Sequence, residues 1–300
     1  MSNTPKSQIE LIYSSIKYIV NEYSYIYHHK YQEFSNLFRE ISLDVLKLIM
    51  ECDAPYHNLE HTLQVILVGQ EIISGRHICH ETLSPGEWLN FMVGLLCHDI
   101  GYLKGICTAD QPECCKFTTG NDDQVITISA TATGASLSPY HVDRSKLFVA
   151  ERLNSYDLLD VEAIQLSIEL TRFPVPKNAL YEDTVSLAGL ARGADLIGQL
   201  SDPSYLTKLP MLFAEFAEIG SHQVMGYHDP NDLRAGYPKF YWHCVSTYLT
   251  HSIRYLEVSK TGRAILSNLY RNRIVVEREM DRLYSINRNP LKRLVNYLVR

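Results

Sequence analysis

The sequence predicts an all-α fold in one multi-helix domain. Three observations lead there. Apolar residues recur at three- and four-residue steps through most of the chain. No run alternates convincingly with the period of two expected of a half-buried strand. Proline and glycine clusters punctuate the periodic segments without a linker or an internal repeat.

Ile9 to Met50 carries the helical pattern, with a turn near His28-His29, and ends at Cys52-Asp53-Ala54-Pro55. A helix is expected from about His57 to Ser74, with Leu63, Ile66, Leu67 and Ile72 on its apolar side. Pro85-Gly86-Glu87 opens the next, which runs to His98 and stops at Gly101 and Gly105. Residues 106–139 are rich in Thr, Ser, Asp and Gly and show little periodicity. A stretch this long inside a domain suits a lid or pocket wall. Helices are expected over Val142–Asn154, Asp160–Thr171 and Val185–Leu200, and another opened by Pro203. Pro230 to Pro238 reads as a loop, followed by helices over Phe240–Val258 and Thr261–Leu283. On this reading residues 1–50 form a helical segment packed on the core, 51–260 the core itself and 261–300 a basic helical extension.

Bulk properties narrow the function. A net charge of −6 argues against nucleic acid as the main partner. No apolar run reaches the roughly 18 residues that span a bilayer. The first residues lack a secretory pattern, and seven cysteines without a CxxC pair do not make a disulfide framework, so a cytoplasmic protein is expected. Cys97 reads as a core residue, whereas Cys107, Cys114 and Cys115 share a loop that could bind metal or oxidise. Arg263, Arg271, Arg273, Arg278, Arg282, Arg288, Lys292, Arg293 and Arg300 make the C-terminal segment basic, either as a solvated face or as a docking surface for an anionic partner.

The chemistry lies in Tyr56-His57-Asn58-Leu59-Glu60-His61 and Cys97-His98-Asp99-Ile100-Gly101. Histidines four apart project together from a helix, although a chain with twelve histidines contains some such pairs by chance. A His-Asp pair closing an apolar helix has no structural purpose of its own. Asp195, within Ala191-Arg192-Gly193-Ala194-Asp195-Leu196-Ile197, is costly to bury unless it binds a metal or pairs with a cation such as Arg192. Imidazole and carboxylate together suit zinc, manganese, iron or magnesium.

These motifs resemble the HD-domain metal-dependent phosphohydrolases, most closely their cyclic-nucleotide phosphodiesterase-like branch. The likeness rests on Tyr56-His57-Asn58 with His61, on His98-Asp99, on Ala194-Asp195-Leu196 with Pro203, and on Glu215-Phe216. The resemblance implies that His61, His98, Asp99 and Asp195 hold a first divalent metal. Asp99 would bridge to a second, with His141 close to it. His57 would be the general acid, with Asn58 and Glu60 orienting these groups. It implies hydrolysis of a cyclic nucleotide or related phosphodiester by a metal-bridging hydroxide, His57 protonating the leaving group. His141 could instead be a loop or capping histidine.

Two departures bear on the substrate. The glutamine that reads the purine edge in such phosphodiesterases has no counterpart in Arg234-Ala235-Gly236-Tyr237-Pro238-Lys239-Phe240-Tyr241. Tyr56, Tyr237 and Phe240 remain candidates to contact substrate, with core packing the alternative for the last two. Tyr102 also stands where a His-Asp-x-x-His motif would place its last histidine. A nucleotide phosphomonoesterase or triphosphohydrolase is the alternative activity, with Arg144 and Lys146 the nearest cations. A non-catalytic metal-stabilised module that binds a nucleotide or partner is another alternative, and a homo-oligomer is compatible with all three.

Overall fold

The computed structural model describes residues 5–122 and 124–288. Lys292, Arg293 and Arg300 of the expected basic extension lie outside them. Twelve α-helices are present among the described residues. They are α1 (Pro5–Ile26), α2 (Gln32–Ile49), α3 (Leu59–Ile78), α4 (Pro85–Cys97), α5 (His141–Arg152) and α6 (Val161–Leu170). There follow α7 (Leu187–Ser201), α8 (Tyr205–Glu218), α9 (Ser221–Val224), α10 (Pro230–Phe240), α11 (Thr250–Leu256) and α12 (Lys260–Arg288). None is long and apolar enough to cross a membrane.

The bundle is built around α4. Its nine residues from Trp88 to Cys97, Asn90 aside, are buried, so the helix is apolar on every side, as a central helix must be. Ser84 and Glu87 start it with a reciprocal capping box, and Pro85 supplies the first turn. Helices α2, α3, α6 and α7 pack around it. One continuous apolar cluster runs from Ile12 to Val276, so α1, α2 and α12 share the core instead of forming separate layers.

Several expectations change. Helix α3 begins at Leu59, with Asn58 as its N-cap accepting from the Glu60 N–H. His57 therefore precedes the helix, and its relation to His61 is not that of two residues on a helical face. Residues 230–238, expected as a loop, form most of α10. Asp229 caps it by accepting from the Asn231 and Asp232 N–H groups, and Pro230 stands in its first turn. Gly236 and Pro238 read as breakers, but the start signals prevail. The expected single helix from Phe240 to Val258 is broken: a π turn over Tyr241–Val245 and a 3-10 turn over Ser246–Tyr248 precede α11. Pro238 has no N–H to continue the ladder, and the wider turn follows it.

The 106–139 stretch also has structure. It carries a short antiparallel hairpin, β1 (Lys116–Thr118) with β2 (Val125–Thr127), in the register Phe117 opposite Ile126. The stretch is tied down by Arg144 of α5, which is fully buried. Its Nε donates to the Gly101 carbonyl at 2.8 Å and one Nη to the Leu103 carbonyl at 2.7 Å. The other Nη donates to the Thr118 carbonyl at 2.7 Å, and both Nη groups reach the Asp110 carboxylate at 2.9 Å. Arg144 is thus structural, not a free phosphate ligand. We predict that Arg144→Ala, which leaves the buried Asp110 unpaired, lowers unfolding free energy by about 3–5 kcal/mol. Urea titration followed by circular dichroism measures it.

Candidate metal centre

Four elements deliver the site. The N-terminus of α3 brings His61, the end of α4 brings His98 and Asp99, the middle of α7 brings Asp195 and the start of α5 brings His141. Helices α3 and α7 lie side by side, Gly198 allowing close approach to Val65. The turn after α4 meets α5 just as closely: a Cβ on Gly101 would stand 2.0 Å from the His141 carbonyl oxygen, so only glycine fits there. Ser145 latches the same junction, accepting from the Gly101 N–H at 2.9 Å and donating to the His98 carbonyl at 2.8 Å.

The ligating atoms converge. His61 Nε2 lies 3.2 Å from Asp99 Oδ2 and 3.3 Å from Asp195 Oδ1. His98 Nε2 lies 3.1 Å from Asp99 Oδ2, 3.6 Å from Asp195 Oδ1 and 3.4 Å from His61 Nε2. A metal about 2.1 Å from each ligand gives ligand–ligand edges of about 3.0 Å in an octahedron and about 3.4 Å in a tetrahedron. The observed separations fall on that scale.

Tautomer and hydrogen bonding agree. His98 Nδ1 is 2.7 Å from the Leu95 carbonyl, to which it donates, so Nε2 can offer a lone pair to the centre. Asp99 Oδ2 is buried and has no hydrogen-bond partner besides the His61 and His98 imidazoles, at 3.2 and 3.1 Å, a place that a cation would fill. His61, His98 and Asp195 form one group able to hold a metal ion; His57, His61 and Asp99 form another. The buried His/Asp cluster is therefore competent to bind a metal.

The electrostatics favour positive charge. Burial works against both carboxylates, yet the His98 and His61 imidazoles hold Asp99 well below the usual range and Asp195 down to about 2. Burial likewise opposes a charged His98, but Asp99 and Asp195 drive its pKa well above that of a free imidazole. A metal must displace that proton to bind.

Around the cluster, His141 donates from Nδ1 to the Ser138 carbonyl at 2.6 Å and turns Nε2 to 3.7 Å from Asp99 Oδ1. It opens α5 and adjoins the cluster at the same time. His57 is held by Glu215, a residue seen in the sequence only as part of a motif. Glu215 Oε2 lies 2.5 Å from His57 Nδ1, and Oε1 accepts from the Tyr56 and His57 N–H groups at 2.6 and 3.0 Å. Burial lowers the His57 pKa, but Glu215, Asp99 and Asp195 outweigh it and bring the imidazole to about 9. Tyr102, noticed in the sequence only for standing where a last motif histidine would be, also belongs to the site. It is buried, stacks on His57 at 4.7 Å and on His141 at 4.6 Å, and its hydroxyl lies 3.2 Å from Ser138 Oγ.

Residues 6–279 match the model of the Npun_R2479-like family. The chain belongs to that family. The match covers every residue of the cluster together with His57, Tyr102 and Glu215. No curated protein and no solved structure matches the chain.

The remaining candidates are distributed unevenly. A cavity of about 340 Å³ lies against His61 and is lined in part by Cys52, Tyr56, Asn58, Glu60, Gln64 and Lys208. Tyr56 is buried, with its ring 5.2 Å from His57. Asn58 caps α3, and Glu60 pairs with Lys208 at 2.9 Å on the cavity wall. Tyr237 instead packs in the core against Tyr205 at 5.2 Å, and Phe240 meets Phe173 at 5.6 Å; neither lines this cavity. Arg192 does not pair with Asp195; it donates to the Tyr181 and Asp183 carbonyls and stacks on Tyr248. Cys107, Cys114 and Cys115 are free thiols and belong to neither metal-competent group among the described residues.

Two outcomes follow. Asp99→Ala and Asp195→Ala each lower bound metal at least about tenfold, measured by elemental analysis of purified protein. In metal-free protein, Glu215→Gln is less stable than the parent. His57 is raised in the folded state, so its pairing stabilises fully below its unfolded value of 6.5 and fades as pH rises through about 9. Glu215 is lowered, so its share holds above 4.5 and fades as pH falls below it. Urea midpoints of parent and variant therefore differ most near pH 5.5 and converge toward pH 10.

Proposed function

We propose that this protein is a metal-dependent phosphohydrolase that cleaves a phosphodiester, a cyclic nucleotide or a related compound. The observation that carries the reading is the convergence of His61, His98, Asp99 and Asp195 beside a histidine held by its own carboxylate. The likeness of the same residues to the HD-domain pattern supports it. A divalent ion there supplies an acidified water and positive charge against the phosphoryl oxygens. We take two ions as the working number; His61, His98, Asp99 and Asp195 would hold the first, and Asp99 and His141 would help hold the second.

The chain's own residues supply the rest. Glu215 holds Nδ1 of His57 and leaves Nε2 to face the site. It also keeps the imidazole protonated at neutral pH, the state a general acid needs before it protonates a leaving alkoxide. Tyr56 packs its ring 5.2 Å from His57 and 5.7 Å from His61, and the cavity against His61 has the size of a small-molecule pocket. The nearest cations give little support to a triphosphate cradle: Arg144 is buried against Asp110 and backbone carbonyls, and Lys146 pairs with Asp143 and Glu169. Seven free thiols suit a reducing, cytoplasmic setting.

One observation favours a second role for His57. It also groups with His61 and Asp99 at ligand spacing, which would make it a metal ligand. The two roles separate in His57→Ala. As general acid, its loss cuts diester turnover by about 10²–10⁴-fold with metal content unchanged. Loss of one metal equivalent makes it a ligand. Metal bound without turnover of any diester, monoester or nucleoside triphosphate would support a binding module instead of an enzyme.

A further inference from the structure

The aromatic stack His57–Tyr102–His141 has geometric consequences for the metal centre. His57 and Tyr102 are nearly parallel, at an interplanar angle of 6°, and Tyr102 and His141 are inclined by 30°. Both imidazoles therefore lie against the one phenol ring. On opposite faces of that ring, stacking distances of 4.7 and 4.6 Å put the two imidazoles as much as about 9 Å apart. Two imidazoles on one ion, each with its nitrogen about 2.1 Å from the metal, have ring centres no more than about 6.5 Å apart. In that arrangement His57 and His141 do not share an ion. Consistently, His141 joins neither group of converging ligand atoms, whereas His57 joins one.

We propose that Tyr102 is a positioning residue: a flat wedge that divides the two outer histidines between separate tasks. It keeps His141 on the Asp99 Oδ1 side, 3.7 Å away, and His57 on the Glu215 side. Its place is fixed from three directions. The ring is only 3% exposed, its hydroxyl meets Ser138 Oγ, and the next carbonyl in the chain, that of Leu103, is bonded to Arg144. Ser138 also accepts from His141 Nδ1 through its carbonyl, so one residue sets both the tyrosine and the histidine behind it. Flatness is the property that matters. An aliphatic side chain of similar volume would fill the space but would not hold two rings parallel to itself, and His57 could then swing toward the centre that His141 adjoins.

This inference rests on the metal-centre reading above, and its test keeps the two apart. Full-length protein is loaded with cobalt(II), whose visible spectrum reports ligand number and geometry without any need for turnover. Tyr102→Phe keeps the flat face and loses the Ser138 contact; Tyr102→Leu loses the face, with Tyr102→Met as the second variant if leucine does not fold. The expected result is a parental spectrum for Phe and a changed one for Leu or Met. Turnover of a chromogenic diester is expected within about twofold of the parent for Phe. For Leu it should fall about 100-fold in kcat with KM much less affected, the scale of a displaced catalytic group. A Leu or Met spectrum identical to the parent's overturns the wedge and leaves the metal centre standing. Equal changes in Phe and Leu also overturn it, because the hydroxyl would then be the active feature. Failure of the parent to bind cobalt overturns the metal centre and the wedge with it.

Discussion

Two imidazole nitrogens stand 3.4 Å apart in a buried site, and each lies 3.1–3.6 Å from the same two carboxylate oxygens. That is the constraint on which the rest depends. Such atoms repel one another unless a cation or protons sit among them, and burial removes the water that would otherwise screen them. The scaffold must therefore be rigid enough to hold them, and the apolar bundle around α4 provides that rigidity.

At the end of α4, His98 and Asp99 leave the helix and backbone carbonyls lose their intrahelical partners. Helix α5 answers that need. Arg144 takes the Gly101 and Leu103 carbonyls, Ser145 takes the His98 carbonyl, and the missing side chain of Gly101 lets the helices meet. The same contact carries His141 to Asp99 and orders the hairpin segment. One junction thus serves stability and the site together, and a cation that looks available for phosphate in the sequence is consumed inside the protein.

Much of the fold was legible because periodicity and caps are local. Ser84-Pro85 with Glu87 announces α4, and the turn at His28-His29 separates α1 from α2 as the pattern indicates. The errors have local causes as well. Gly236 and Pro238 outweighed Asp229-Pro230 in the reading of residues 230–238, although a capped start tolerates a proline near the end of its helix. His57 was counted into α3 because periodicity does not show which of several polar residues takes the cap; Asn58 takes it. In the site, His61, His98, Asp99 and Asp195 stood out because buried ionisable residues in apolar helices need a reason. Glu215 and Tyr102 did not, since an acid on an amphipathic helix and an aromatic after a helix end are both ordinary.

By itself the sequence determined the all-α class, the apolar helix that ends at His98 and the candidate metal-binding side chains, since each follows from residue type and spacing along one segment. Only the tertiary structure decided that α3, α4, α5 and α7 bring those side chains to one point. It also decided that Glu215, some 158 positions along the chain from His57, holds that histidine's inner nitrogen, and that Tyr237 belongs to the core. The physical reason is that these facts depend on which helix faces meet. Many distant apolar contacts settle that jointly, and no single stretch of the chain encodes it.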